Sequence, residues 1–134
     1  MLGRRTFTRD EIDAGKGAVA EQLAAWRSLP GRPTGDAEAT YFNGMLLALD
    51  RRYVHRVRSA TGKDTNPLTE VELLAESIMS RAGTLRIGGV IKYDPHQSVL
   101  GYDAGSRVAL TEEQFERLSV AFLVALEARL ADWL

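Results

Sequence analysis

Four polar side chains that could perform chemistry lie close together near the middle of the chain. They are Asp50, Tyr53, His55 and Arg56. A carboxylate or an imidazole in a pocket between helices could act as a general base. A buried charge is more often paired with a neighbouring group, so a structural role is the favoured interpretation of Asp50 and Arg56. A small-molecule enzyme with an interhelical pocket around Asp50, Tyr53 and Arg56 is kept as an alternative.

Basic side chains are concentrated in the same stretch. Arg51, Arg52, Arg58 and Lys63 belong to a segment that contains no acidic residue. Clustered cations bind phosphate groups, so nucleic-acid or phosphate-ligand binding is a second alternative. Cations are also favoured at the C-terminus of a helix, and these arginines are spread around the predicted helix instead of along one edge. Nucleic-acid binding is therefore not the leading interpretation.

The residue types that metal and cofactor sites need are scarce. The chain has no cysteine and two histidines, which excludes thiolate zinc sites and three-histidine sites. The glycines of residues 83–105 match neither a dinucleotide-binding motif nor a P-loop. We therefore predict no metal and no cofactor, assign no catalytic residue, and favour a protein without enzymatic activity.

The elements that would position these groups are predicted to be helices. Three similar motifs, at residues 7–12, 68–73 and 110–115, each place a threonine three residues before an acid or an amide, between two apolar side chains. This pattern is typical of a helix N-terminus, where the threonine accepts from a backbone N–H and the acid or amide reaches back. Thr8, Thr69 and Thr111 are therefore the candidate N-caps, with Asn66 as an alternative to Thr69.

Apolar periodicity completes the prediction of a mainly α, four-helix bundle-like single domain over residues 1–134. The predicted helices cover residues 9–28, 37–60, 69–81 and 111–133. Gly15 and Gly17 weaken the first of them unless another helix packs closely against that side. We expect such close packing.

A long segment without helical periodicity separates the third and fourth predicted helices. Residues 83–109 are rich in glycine and turn-forming side chains, and they are too long for a plain connection. We predict a short β-hairpin or an ordered loop that lies across the bundle. Ile91, Val99 and Tyr102 are its expected anchors.

Apolar side chains outside the main stripe indicate a partner surface. Val120 and Val124 form a second apolar strip on the fourth predicted helix, and the second predicted helix is apolar on several sides. Homo-oligomers are common and bury such strips. The leading prediction is therefore a protein–protein interaction domain that self-associates, with a homodimer as the expected form.

Bulk composition sets further limits. Seventeen basic and 18 acidic side chains give a net charge of −1, so no overall field attracts the chain to nucleic acid or to an anionic membrane. No segment has the pattern of a secretory signal or of a membrane span. We expect a cytoplasmic protein that does not bind membranes, and the excess of arginine over lysine suggests a bacterial genome.

Three segments, at residues 41–58, 62–71 and 99–123, carry a resemblance. The first reads YFNGMLLALDRRYVHRVR, the second GKDTNPLTEV and the third VLGYDAGSRVALTEEQFERLSVAFL. Together they resemble a family of small uncharacterised bacterial helical proteins with no assigned function. The resemblance implies a free-standing helical domain and supplies neither catalytic residues nor ligands.

Overall fold

The computed structural model describes residues 7–53, 64–80, 82–87 and 92–133, with side chains as far as residue 129. These ranges contain four helices, and the prediction of a mainly helical fold is confirmed. The helices are α1 (Arg9–Arg27), α2 (Asp36–Arg52), α3 (Pro67–Ser80) and α4 (Glu112–Trp133). The bounds of α1 and α4 differ from the predicted ones by one residue at most.

Reciprocal capping starts α1 and α4, as the two motifs predict. The backbone N–H of Glu11 donates to the Thr8 hydroxyl over 3.1 Å, and the N–H of Thr8 donates to the Glu11 carboxylate over 3.0 Å. Thr111 and Gln114 exchange the same two bonds, both of 3.2 Å. Each bond satisfies an N–H that has no partner inside the helix, so these starts are determined locally.

The start of α3 differs from the motif at residues 68–73. The amide oxygen of Asn66 accepts from the backbone N–H of Thr69 over 3.0 Å, and Pro67 is the first residue of the helix. Thr69 is buried within the first turn, so the prediction of Thr69 as the N-cap is wrong and Asn66 has that role. An asparagine followed by proline is a favourable N-cap and first position, and it sets the start three residues earlier.

The end of α2 also differs from the prediction. The helix that was expected to reach residue 60 ends at Arg52, where Tyr53 leaves helical geometry with φ −127° and ψ −66°. The Tyr53 side chain is buried in the core, and its hydroxyl donates to the carbonyl of Glu11 in α1. The end of α2 thus coincides with the tertiary contacts of Tyr53. Helical periodicity alone does not reveal these contacts.

The core lies where α4 packs against each of the other three helices. Its largest fully buried side chains are Tyr53, Phe7, Phe42, Phe115 and Phe122. The rings of Phe42 and Phe115 lie 5.6 Å apart, and those of Tyr53 and Phe122 lie 5.8 Å apart, which joins α2 to α4 along its length. Burial of these aromatic faces, together with the buried aliphatic side chains around them, stabilises the packing of the helices.

The segment between α3 and α4 is an irregular loop in its described residues, 82–87 and 92–111. Thr84 and Arg107 form a single antiparallel bridge, and the predicted β-hairpin is not seen in this part of the chain. Val99 and Tyr102 are half-buried against the core, as expected of anchors, whereas Ile91 lies outside the described residues.

Asn43 in α2 fixes the end of this loop. Its amide nitrogen donates to the carbonyl of Val108 over 3.0 Å, and its amide oxygen accepts from the N–H of Leu110 over 3.1 Å. Val108 and Leu110 are both buried. A side-chain amide therefore replaces the strand partner that the loop backbone would otherwise need.

Candidate functional site

A groove of about 530 Å³ runs along the surface between α1 and α4. Its floor consists of buried side chains, Val19, Leu23, Ser119 and Leu123. We name it the α1–α4 groove. Both helices line the groove because each has small or branched apolar residues three or four positions apart, and residues at this spacing lie on one face of a helix.

Exposed apolar groups form the rims of the α1–α4 groove. Val120 and Val124 on α4 are 57% and 62% exposed, and Ala20 and Ala24 face them from α1. The sequence places Val120 and Val124 on a second apolar strip, and the structure shows that α1 leaves this strip uncovered. An exposed apolar strip beside an apolar groove is characteristic of an interaction surface.

Ion pairs within the chain lie at both ends of the α1–α4 groove. One end is formed by Arg9, Lys16 and Glu127. The other is formed by Arg27, Glu112 and Glu116. These contacts show that α1 and α4 run antiparallel, since the start of α1 meets the later part of α4 and its end meets the start.

One carboxylate at each end of the groove, Glu112 or Glu127, has a lowered pKa. The pKa of Glu112 is lowered first by the hydrogen bond from Arg27, and the pKa of Glu127 is lowered first by the hydrogen bond from Lys16. The indole N–H of Trp26 also donates to Glu112 over 3.1 Å. Because the end charges have internal partners, they do not leave an open anion or cation site in the groove.

A second depression, the α2–α3 cleft, contains part of the predicted pocket. Its volume is about 360 Å³. The residues that line it include Leu47, Asp50, Arg51, Glu72, Glu76 and Met79. Asp50 and Arg51 are therefore brought into one cleft, in which acidic side chains outnumber basic ones.

Tyr53 does not line the α2–α3 cleft, which corrects its assignment to a pocket. Its exposed fraction is 1%, and its ring packs edge-to-face on Phe7 with centroids 5.1 Å apart. A phenol in that position stabilises the core and cannot meet a ligand beside Asp50. His55 and Arg56, the other two candidates, lie outside the described residues.

The predicted basic strip is described only in part. Arg51 and Arg52 are exposed near the end of α2, whereas Arg58 and Lys63 lie outside the described residues. Arg51 shares the α2–α3 cleft with Glu72 and Glu76, whose negative charge opposes phosphate binding at that point. Nucleic-acid binding stays a hypothesis.

Glu70 is a structurally important residue that the sequence reasoning missed. Only 2% of it is exposed, and its two carboxylate oxygens accept from the backbone N–H groups of Val99 over 2.7 Å and Leu100 over 3.0 Å. Desolvation raises its pKa, and the two N–H donors and the charge of Arg117 oppose that rise. The sequence did contain a signal for its burial, because Glu70 lies three residues before Leu73 on the buried face of the helix.

The described residues contain neither a cluster of metal ligands nor a helix that could span a membrane. Among them no group of three or more histidine, cysteine, aspartate or glutamate side chains could hold a metal ion. None of the helices found there combines the length and apolarity that crossing a bilayer requires. No protein-family model, curated protein or solved structure matches this chain.

Proposed function

We propose that this protein is a non-enzymatic interaction domain that self-associates through the α1–α4 groove. The exposure of Val120 and Val124, at 57% and 62%, beside a buried apolar floor is the observation that carries the proposal. Covering these two side chains removes apolar surface from water. Each Å² of apolar surface that is buried stabilises the contact by about 25 cal/mol. A second copy supplies the same two valines in return, as an isologous interface requires.

The size of the face supports a stable dimer. Helices of the lengths of α1 and α4 extend over about 28 and 33 Å at 1.5 Å per residue, and packed helices lie about 10 Å apart. Each helix is itself about 10 Å in diameter, so the pair is about 20 Å wide and its face covers roughly 600 Å² in projection, at the lower end of the roughly 600–1,000 Å² per partner of a standard interface. A second copy thus finds a surface large enough for a specific contact.

The chemistry of the α1–α4 groove favours a protein over a small polar ligand. Ser119 is the polar residue of its floor, and the Ser119 hydroxyl already donates to the carbonyl of Glu116 over 3.0 Å. Small-molecule sites combine an apolar lining with several convergent polar groups that fix orientation. Here the polar groups point to partners within the protomer, so the apolar surface is what the groove offers.

A matched pair of lysine substitutions tests the proposal. Val124→Lys places a charge in the groove, and Met79→Lys places one on α3, where Met79 is 71% exposed. Each new lysine has a glutamate three residues away, Glu127 or Glu76, so the local helix environment is similar. The mass in solution is measured by light scattering and sedimentation velocity at micromolar concentration.

The wild-type protein and Met79→Lys are expected to have the mass of a dimer, and Val124→Lys that of a monomer with an unchanged helical circular dichroism spectrum. Val120→Lys is a second variant with the same expectation. A monomeric wild-type protein, or a Val124→Lys variant that remains dimeric, would overturn the proposal.

A further inference from the structure

We propose that residues 92–104 form a flap that opens while the four helices stay folded, and that the Glu70 carboxylate is a pH-sensitive latch that holds the flap shut. The flap belongs to the loop between α3 and α4, and Glu70 lies in the first turn of α3. Neither depends on the proposed self-association, because no residue of the flap and no group that holds it lines the α1–α4 groove.

The loop between α3 and α4 has an inner part with buried side chains and an outer part, the flap, without them. In the inner part Leu85, Val108 and Leu110 are fully buried, and backbone hydrogen bonds join residues 83–85 to residues 105–108. No side chain of the flap is buried, and its most apolar ones are half-buried. A segment with few buried apolar contacts opens at a lower cost in free energy than the core does.

Polar side chains hold the flap where a buried core would otherwise be needed. The two oxygens of the Glu70 carboxylate accept from the backbone N–H groups of Val99 over 2.7 Å and Leu100 over 3.0 Å. The guanidinium of Arg117 in α4 donates to the carbonyl of Val99 over 2.6 Å, and the hydroxyl of Thr65 bonds to the backbone at the start of the flap. Of these three side chains Glu70 is the buried one, with 2% exposed.

The closed flap binds a proton on Glu70 more tightly than the open flap does. Opening returns the carboxyl group to water, where its ordinary pKa applies. In the closed flap desolvation raises the pKa of Glu70, and the hydrogen bonds from Val99 and Leu100 and the charge of Arg117 only partly offset that rise. The stability of the closed flap is therefore fully present below the open-state pKa and is lost as the pH rises through the closed-state pKa.

The other charged and titratable groups near the latch do not take its place. They are Arg117 and Glu113 on α4 and Tyr93, Asp94 and Asp103 on the flap. Burial raises the pKa of the Tyr93 phenol, so this group stays neutral at pH 7 and below. The charges of α2 in the α2–α3 cleft face Glu72, which at 100° per residue is about 160° from Glu70 around α3.

Hydrogen exchange of backbone amides, measured by NMR at a series of pH values, tests the flap and the latch. Protection factors remove the intrinsic effect of pH on exchange. The amides of Val99 and Leu100 report opening of the flap, and the amide of Phe122 in the core of α4 reports unfolding of the helices. Val99 and Leu100 should be less protected than Phe122. Their protection should fall about tenfold for each unit by which closure raises the pKa of Glu70, as the pH rises above 4.5.

Two glutamine substitutions on α3 provide the comparison. Glu70→Gln removes the titrating group, so the protection of the flap should no longer depend on pH in this range. Glu76→Gln is the matched control, because Glu76 is exposed on the same helix, and it should keep the wild-type dependence. Equal protection of the flap amides and Phe122 would overturn the flap. The same pH dependence in wild type and Glu70→Gln, or protection that rises with pH, would overturn the latch.

Arg117→Gln provides a second readout that leaves Glu70 in place. Removing the cation takes away a charge that lowers the pKa of Glu70 and a donor to the carbonyl of Val99. The flap should therefore be less protected at every pH, and the fall in its protection should move to higher pH. A midpoint that stays in place or moves to lower pH would contradict the role of Glu70 as the latch. Circular dichroism and the protection of Phe122 show that each variant is folded.

Discussion

The side chain of Tyr53 lies directly over the backbone of Gly15. A β-carbon at Gly15 would come within 1.8 Å of the Tyr53 hydroxyl oxygen, and the same hydroxyl donates to the carbonyl of Glu11 one turn earlier in α1. The contact joins α1 to the residue that ends α2. It confirms the close packing predicted for Gly15. At Gly17 no atom of the described residues lies within 4 Å of an added β-carbon, so the predicted close packing is not found there.

Gly15→Ala should therefore destabilise the protein, because the added methyl group forces Tyr53 out of its position. Overpacking of this kind costs about 1–3 kcal/mol in the free energy of unfolding. Gly17→Ala is the matched control and should stabilise the protein by up to about 1 kcal/mol through helix propensity alone. Urea denaturation of both variants gives the comparison, and equal effects at the two positions would contradict the contact.

The hydrogen bond from Tyr53 should contribute measurably to stability. Tyr53→Phe keeps the ring and removes the donor to Glu11, so a loss of about 1 kcal/mol is expected. Tyr41→Phe is the control, since its hydroxyl makes a longer bond of 3.4 Å to the carbonyl of Gln22 on an exposed surface and should lose little. Thermal and urea unfolding measure both. No difference between the two variants would argue against a strong Tyr53 bond.

The buried carboxylate of Glu70 should make stability depend on pH. Because desolvation raises its folded pKa above the ordinary value, the folded protein binds the proton more tightly than the unfolded chain does. The stability that this difference contributes is present below the unfolded pKa and is lost as the pH rises through the folded pKa. The excess stability of wild type over Glu70→Gln should therefore fall as the pH rises above 4.5 and through the raised folded pKa of Glu70.

Urea denaturation of wild type and Glu70→Gln across that range measures the effect, because the titration of other carboxylates is common to both proteins. The backbone N–H groups of Val99 and Leu100 donate to Glu70, so their amide chemical shifts should titrate with the midpoint of the Glu70 carboxyl group. A stability difference that rises with pH would mean that the two N–H donors outweigh desolvation.

The reciprocal caps of α1 and α4 should contribute separately. Thr8→Ala and Thr111→Ala each remove a side-chain acceptor from a helix start, and each is expected to cost about 1 kcal/mol. The two caps lie at opposite ends of an antiparallel helix pair, so the double variant should lose about the sum. Denaturation of the three variants tests this expectation, and a marked departure from additivity would indicate that the caps are coupled.

Local chemistry explains how far the sequence could predict the fold. The capping pairs Thr8 with Glu11 and Thr111 with Gln114 involve groups three residues apart, so α1 and α4 were recognisable from short motifs. At α3 two local signals competed. The Asn66–Pro67 pair started the helix ahead of Thr69, whose side chain is buried within the helix.

The candidate site was predictable only in outline. Periodicity places Val120 and Val124 on a second apolar strip, but only the packing of α1 against α4 shows that the strip is exposed and adjoins a groove. The same holds for Asp50 in α2 and Tyr53 just after its end, which are three residues apart. One lines the α2–α3 cleft and the other fills the core.

By itself, therefore, the sequence determined the mainly helical class, two helix starts and the apolar strip on α4. Each depends on residues within about two turns of one another, where backbone geometry fixes which groups meet. Tertiary structure alone decided the end of α2 at Arg52, the burial of Glu70 against Val99 and Leu100, and the ion pairs at the two ends of the α1–α4 groove. Those features join residues 29 or more positions apart, and only packing of the helices brings such residues into contact.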